Sequence, residues 1–155
     1  MKAEFINAFP AAFLDVLSKM ANTPAEVGKP FLKRDDPGHG DVSGLIGLSG
    51  ARVRGSLAIT FPNETIMAIT SRMLGETFTE VDETVINMAG EIANMVMGSA
   101  KNSLGDLGYK FEMTIPSVVV GPAHVIAHQN RLPVVAVPVT CDAGSIHLEL
   151  AYEEM

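Results

Sequence analysis

Glu91 and Asn94 are the residues whose types and spacing point most directly to chemistry. They stand three apart in the stretch Asp82 to Leu104, DETVINMAGEIANMVMGSAKNSL, which reads as one long helix. At that spacing a carboxylate and a carboxamide project side by side. The pair lacks the second acid of a glycosidase and the nucleophile and base of a hydrolytic triad. It suits work on a phosphoryl group better. An amide can hold a water in line without being consumed, and a carboxylate can pair with a cation on a partner. Gly90 and Gly98 lie close to the pair. Each glycine weakens an exposed helix by about 1 kcal/mol against alanine, so two of them here predict that something approaches the backbone closely. Asn87 and Lys101 fall on the same stripe and are candidate rim contacts.

Other candidates carry less. His124 and His128 have the spacing of two metal ligands on a helix. The glutamate of H-E-x-x-H is missing and Pro122 marks a loop, so no metal site is expected. The Gly44, Gly47, Gly50 spacing is not that of a dinucleotide loop, and a hairpin follows it. Cys141 has no basic neighbour in sequence and reads as a small buried residue rather than a nucleophile. Asp35 and Asp36 read as loop charges, His39 stands alone, and His147 should face away from the core of its strand.

The elements that must hold the pair follow from periodicity. At about 100° per residue, Val85, Ile86, Met88, Ala89, Ile92, Ala93, Val96, Met97, Ala100 and Leu104 gather on one broad side of the long helix. Asp82 is a suitable N-cap, with Glu83 in the first turn. Residues 4 to 20 show a second helical pattern. Pro10 inside it either marks the first turn or kinks the helix. A short edge strand is expected near Lys29 to Lys33, beside Pro30. Val42 to Ser49 and Val53 to Phe61 read as a hairpin. Pro62 and Asn63 open a helix that Gly75 closes. Three further strands are expected at Glu112 to Val120, Pro133 to Cys141 and Ser145 to Tyr152.

This order contains an internal repeat. Gly55 to Phe61, GSLAITF, has the pattern of Gly144 to Leu150, GSIHLEL. Ile6-Asn7 can be laid on Ile86-Asn87, which puts Ala11 where Glu91 stands and Leu14 where Asn94 stands. Only the second copy then has the polar pair. The expected fold is α+β, a single domain over residues 1–155. Two pseudo-repeated helix–three-strand units would form one antiparallel sheet of about six strands, with helices packed on one face.

Composition sets outer limits. A chain of 155 residues with 47% apolar content has enough to bury a sizeable core. A net charge of −7 argues against nucleic acid as a partner. No run is long and apolar enough to span a membrane, and no secretory apolar core follows the N-terminus. One cysteine makes no internal disulfide, which is compatible with a cytoplasmic location.

The stretch G-E-I-A-N-M-V-x-G from Gly90 to Gly98, followed by I-P-S-V-V-V-G from Ile115 to Gly121, resembles the CheC/CheX/FliY family of bacterial chemotaxis phosphatases. E-F-I-N-A-F, G-K-P-F-L-K, G-D-V-S-G-L-I-G-L-S-G, R-G-S-L-A-I-T-F and M-L-G-E-T-F-T-E look like its CheX-like members in particular. The resemblance covers nearly the whole chain. It implies a CheC-like fold and hydrolysis of the aspartyl phosphate of a CheY-type response regulator. It implies that Asn94 inserts and orients the attacking water, and that Glu91 pairs with the regulator's lysine. It implies no cofactor of the chain's own, Mg2+ being supplied by the regulator. It also implies a homodimer joined through sheet edges. A module that docks a receiver domain without catalysis, or a dimeric scaffold, would use the same face.

Overall fold

The computed structural model describes residues 2–33, 40–128 and 132–155; Asp35, Asp36 and His39 lie outside the described residues. In order, the elements are α1 (Ala3–Ala21), β1 (Ala25–Val27), β2 (Phe31–Leu32), β3 (Val42–Ser49), β4 (Val53–Phe61), α2 (Asn63–Leu74) and α3 (Glu83–Gly105). They continue with β5 (Glu112–Met113), β6 (Ser117–Val120), β7 (Val134–Cys141) and β8 (Gly144–Glu154). The strands form one antiparallel sheet along the path β1-β7-β8-β4-β3-β5, with β2 also on β7 and β6 also on β3. The three helices lie on one face. There Phe5, Phe9 and Phe13 of α1 and Ile92, Val96 and Met97 of α3 bury against Leu57, Ile59, Phe61, Leu148 and Leu150.

The expected edge strand near Lys29 to Lys33 is β2, preceded by β1, which was not expected, and the expected strand at Glu112 to Val120 is broken into β5 and β6, so each outer ribbon is interrupted. Four steps along the chain from Val27 to Phe31 stand against three from Val139 to Ala136. Four from Met113 to Ser117 stand against three from Leu48 to Leu45. Each break therefore accommodates one extra residue, and each contains a proline, Pro30 or Pro116, that cannot donate to the ladder. Counted as broken ribbons, β1 with β2 and β5 with β6 give the six expected positions. Each unit's first ribbon pairs with the other unit's hairpin, and the hairpins meet at β4 and β8, where Leu57 faces Leu150.

Pro10 does not open α1, which begins seven residues earlier and runs through it. The repeat extends to burial. Over the ten residues from Phe5 to Leu14, the sequence of buried, half-buried and exposed positions is the same as from Val85 to Asn94.

The face away from the helices is polar and partly roofed by the connection from Gly121 to His128. Ser43 and Thr60 hydroxyls share a 2.6 Å hydrogen bond, and His124 Nε2 lies 2.6 Å from Ser43 Oγ. His128 Nδ1 is 2.7 Å from Ser56 Oγ, while its Nε2 is 2.9 Å from Glu149 Oε1. Lys33 Nζ donates to the same carboxylate oxygen at 3.0 Å and reaches the Ile126 carbonyl at 3.3 Å. His147 also lies on this face, half-buried. The two histidines of the H-x-x-x-H spacing thus tie the roof to the sheet at separate points. Among the described residues no group of three or more His, Cys, Asp or Glu is placed to hold a metal ion.

Burial pushes the Glu149 carboxyl up, but the hydrogen bonds from His128 and Lys33 outweigh it and hold the group below the usual carboxylate range. A folded-state value below the unfolded one contributes stability above the unfolded value and loses it as pH falls through the folded one. Glu149→Gln should therefore lower unfolding free energy by about 3 kcal/mol at pH 7, the cost of stranding a buried cation. In urea titrations, the gap to wild type should close as pH falls below about 4.3, the unfolded glutamate value.

Candidate functional site

The site is built on α3. Asp82 caps it, its carboxylate accepting from the Val85 amide at 3.0 Å. Nine residues of the helix are buried: Val85, Ala89, Gly90, Ile92, Ala93, Val96, Met97, Ala100 and Leu104. One strip is left to solvent. Asn87 and Glu91 are exposed on it, and Asn94, Gly98 and Lys101 are half-buried. These five follow one another along the ridge at alternating steps of four and three residues, the spacing that keeps side chains on one face.

Among the described residues, neither the Glu91 carboxylate nor the Asn94 amide has a hydrogen-bond or ion-pair partner. That distinguishes them from the cation further along the ridge. Lys101 Nζ donates to Glu112 Oε2 at 3.3 Å, which ties the C-terminal end of the strip to β5. An unpaired carboxylate and amide about one helical turn apart form a two-point contact. The carboxylate accepts from a cation, and the amide offers both a carbonyl acceptor and a donor to a water or an anion.

The two glycines have different reasons. Gly98 has open space where a side chain would stand, as the sequence reading expects of a surface approached by a partner. Gly90 is buried, and a Cβ there would lie 3.0 Å from Val118 Cγ2 and 3.8 Å from Pro116 Cβ. What comes close at Gly90 is the chain's own β6. Sequence reasoning missed this contact and the Lys101–Glu112 pair, because both depend on where the broken outer ribbon falls beside the helix. The methionines divide similarly. Met97 is fully buried, and Met88 and Met95 pack at the margin of the core.

Comparisons with known proteins converge. A sequence profile described as chemotaxis phosphatase CheX matches residues 42–140. CheY-P phosphatase CheX of Thermotoga maritima is 29% identical over 123 residues, covering 78% of each chain. The crystal structure of a CheC-like superfamily protein from Shewanella sp. PV-4 superposes with a TM-score of 0.93 at 44% identity, over 99% of both chains. A crystal structure of a CheX-CheY-BeF3-Mg2+ complex from Borrelia burgdorferi superposes with a TM-score of 0.84 at 27% identity, over 99% of this chain and 100% of that one.

The contrast between the glycines is measurable in the chain alone. Gly98→Ala should raise stability by about 0.5–1 kcal/mol, since alanine restricts the unfolded chain and meets nothing in the folded one. Gly90→Ala should lose that gain to the contact with Val118 and fall below Gly98→Ala in a side-by-side thermal or urea unfolding series.

Proposed function

Because the chain belongs to the chemotaxis phosphatase CheX family, we propose that it hydrolyses the aspartyl phosphate of a CheY-type response regulator with the ridge of α3. The observation that carries the reading is the unpartnered Glu91–Asn94 pair, held outward by a helix buried on its other sides. The names CheY-P phosphatase and CheX-CheY complex borne by its relatives support the choice of substrate.

Phosphoryl transfer asks mainly for positioning and charge stabilisation. The receiver domain holds the phosphoryl group on its own aspartate. It also supplies the Mg2+ that neutralises charge on the phosphoryl oxygens. What remains for the partner is to fix one water in line with the scissile phosphorus–oxygen bond. The Asn94 carbonyl accepts a hydrogen bond from that water and leaves a lone pair of the water facing phosphorus. Glu91, about one turn away, pairs with the receiver's lysine ammonium through a charge-assisted bond and fixes the helix against the receiver. Asn87, Gly98 and Lys101 form the rim, Gly98 admitting close approach. Gly90 acts on this face from beneath, through its contact with β6.

The same reading places the reaction in the cytoplasm and the chain in a homodimer joined at a sheet edge. Two edges present apolar side chains for this: Val27, Phe31 and Leu32 on β1 and β2, and Ile115 and Val120 around β6. Exposed strand edges of this kind are templates for pairing with another chain.

Phosphate release from a phosphorylated CheY-type receiver separates catalysis from docking. Asn94→Ala should bind the receiver nearly as wild type does and lose about a hundredfold in rate, the value of ordering one water. Glu91→Ala should weaken both binding and turnover. Wild-type rates in both variants would remove the assignment, and a wild-type chain that binds receivers without accelerating hydrolysis would make it a docking module.

A further inference from the structure

The helix that carries the site approaches the backbone of the sheet closely at β3. Gly44, in the middle of β3, faces α3. A Cβ there would lie 2.9 Å from the carbonyl carbon of Ala89, in overlap with its oxygen, and 3.1 Å from Ala93 Cβ. The nearest obstructing atoms are backbone, which cannot swing aside as the end of a side chain can. Only glycine fits while α3 lies where it does. Ala89 and Ala93 are fully buried, and the turn between them carries Glu91 and leads into Asn94.

Neither side of the contact has room to retreat. Gly44 is paired with Ile59 of β4 on one side and with Val118 of β6 on the other. Val118 is also the residue that packs on Gly90. One rung of the sheet, Gly44 with Val118, therefore grips one helical turn at two adjacent residues, Ala89 from below and Gly90 from the flank. The height and roll of that turn are set there, and the ridge side chains inherit them.

We propose that Gly44 is a positioning residue for the phosphatase reaction, setting how far Asn94 stands above the sheet and so where the attacking water is held. This rests on the reading of Asn94 as the residue that orients the water. A methyl group at position 44 pushes the turn outward by about 1 Å, and a misplacement of that size costs about a hundredfold in a step that depends on alignment. Docking tolerates the shift better, because it is spread over the whole ridge. The signature is a loss of kcat with KM nearly kept.

The test uses the full chain with a phosphorylated CheY-type receiver. Wild type, Gly44→Ala, Asn94→Ala and Ile146→Val are compared for kcat, KM, affinity for a beryllofluoride-loaded receiver, and thermal stability. Ile146 is buried on β8, which β4 separates from β3, and serves as a core variant away from the Gly44 contact. Gly44→Ala should lose about 10- to 100-fold in kcat, with KM and affinity within about threefold of wild type. Ile146→Val should keep its rate. A folded Gly44→Ala with kcat within twofold of wild type, while Asn94→Ala is inactive, would overturn the positioning role and leave the Asn94 reading standing. Wild-type rates in Asn94→Ala would overturn both. If Gly44→Ala does not fold, Ala93→Ser adds one atom from the helix side of the same contact. It should show the same split at smaller size, and an unchanged kcat there would equally overturn the proposal.

Discussion

Burial of α3 on the sheet is the constraint from which the rest follows. Five of its buried side chains, Val85, Ile92, Val96, Met97 and Leu104, are large apolar groups. At about 1.5–3 kcal/mol each, they contribute roughly 10 kcal/mol before chain entropy is set against them. Gly90 and Gly98 together cost about 2 kcal/mol in helix propensity. Packing therefore decides that the helix forms and which way it faces, and propensity does not. Once it is seated, one strip of the helix remains open, and it carries Asn87, Glu91, Asn94, Gly98 and Lys101.

The pseudo-repeat supplies a second helix with the same burial and without the polar pair. α1 repeats the burial of α3 residue for residue over ten positions. It presents an exposed Ala11 and a half-buried Leu14 where α3 presents Glu91 and Asn94. The burial is repeated and the polar pair is not. Exchange of the outer ribbons ties the two units together: β6 of the second unit closes β3 of the first while its Val118 packs on α3 of its own unit. At these positions α1 has apolar residues instead: Ala11 is exposed, and Leu14 packs against the margin of the core.

Much of this was legible in the sequence because it is local. The long helix, its Asp82 cap, the β3–β4 hairpin and the Gly75 stop each rest on spacing or on one residue's backbone preference, and the structure has them where the periodicity puts them. The family resemblance, carried by the stretches around Glu91 and Ile115, is matched by the profile and by the relatives. Non-local features were not legible. Gly90 reads as a surface glycine by helical angle, and only the path of β6 shows that Val118 covers it. The strand at Glu112 to Val120 read as continuous, although Pro116 was the signal that it would break, and β1 on the far side of Pro30 was not read at all. The Lys33–Glu149–His128 network joins positions 116 and 21 residues apart in the chain, a juxtaposition that no periodicity reports.

The choice of one charged and one neutral residue on the ridge follows from what each faces in the proposed reaction. Glu91 meets an ammonium, so its charge is an asset, and its exposure keeps the cost of desolvation low in the free chain. Asn94 meets a water beside a phosphoryl group that carries negative charge. A carboxylate at that position would be the stronger base. Yet two like charges about 4 Å apart at an effective dielectric near 20 repel by about 4 kcal/mol, which is close to a thousandfold in rate. Added basicity has little to repay that with, because the transition state is loose and asks little proton transfer of the attacking water. An amide gives the alignment without the repulsion. In the proposed reaction the demand at position 94 is therefore geometric rather than electrostatic, and a proposed role for the seating of the helix beneath it follows from that.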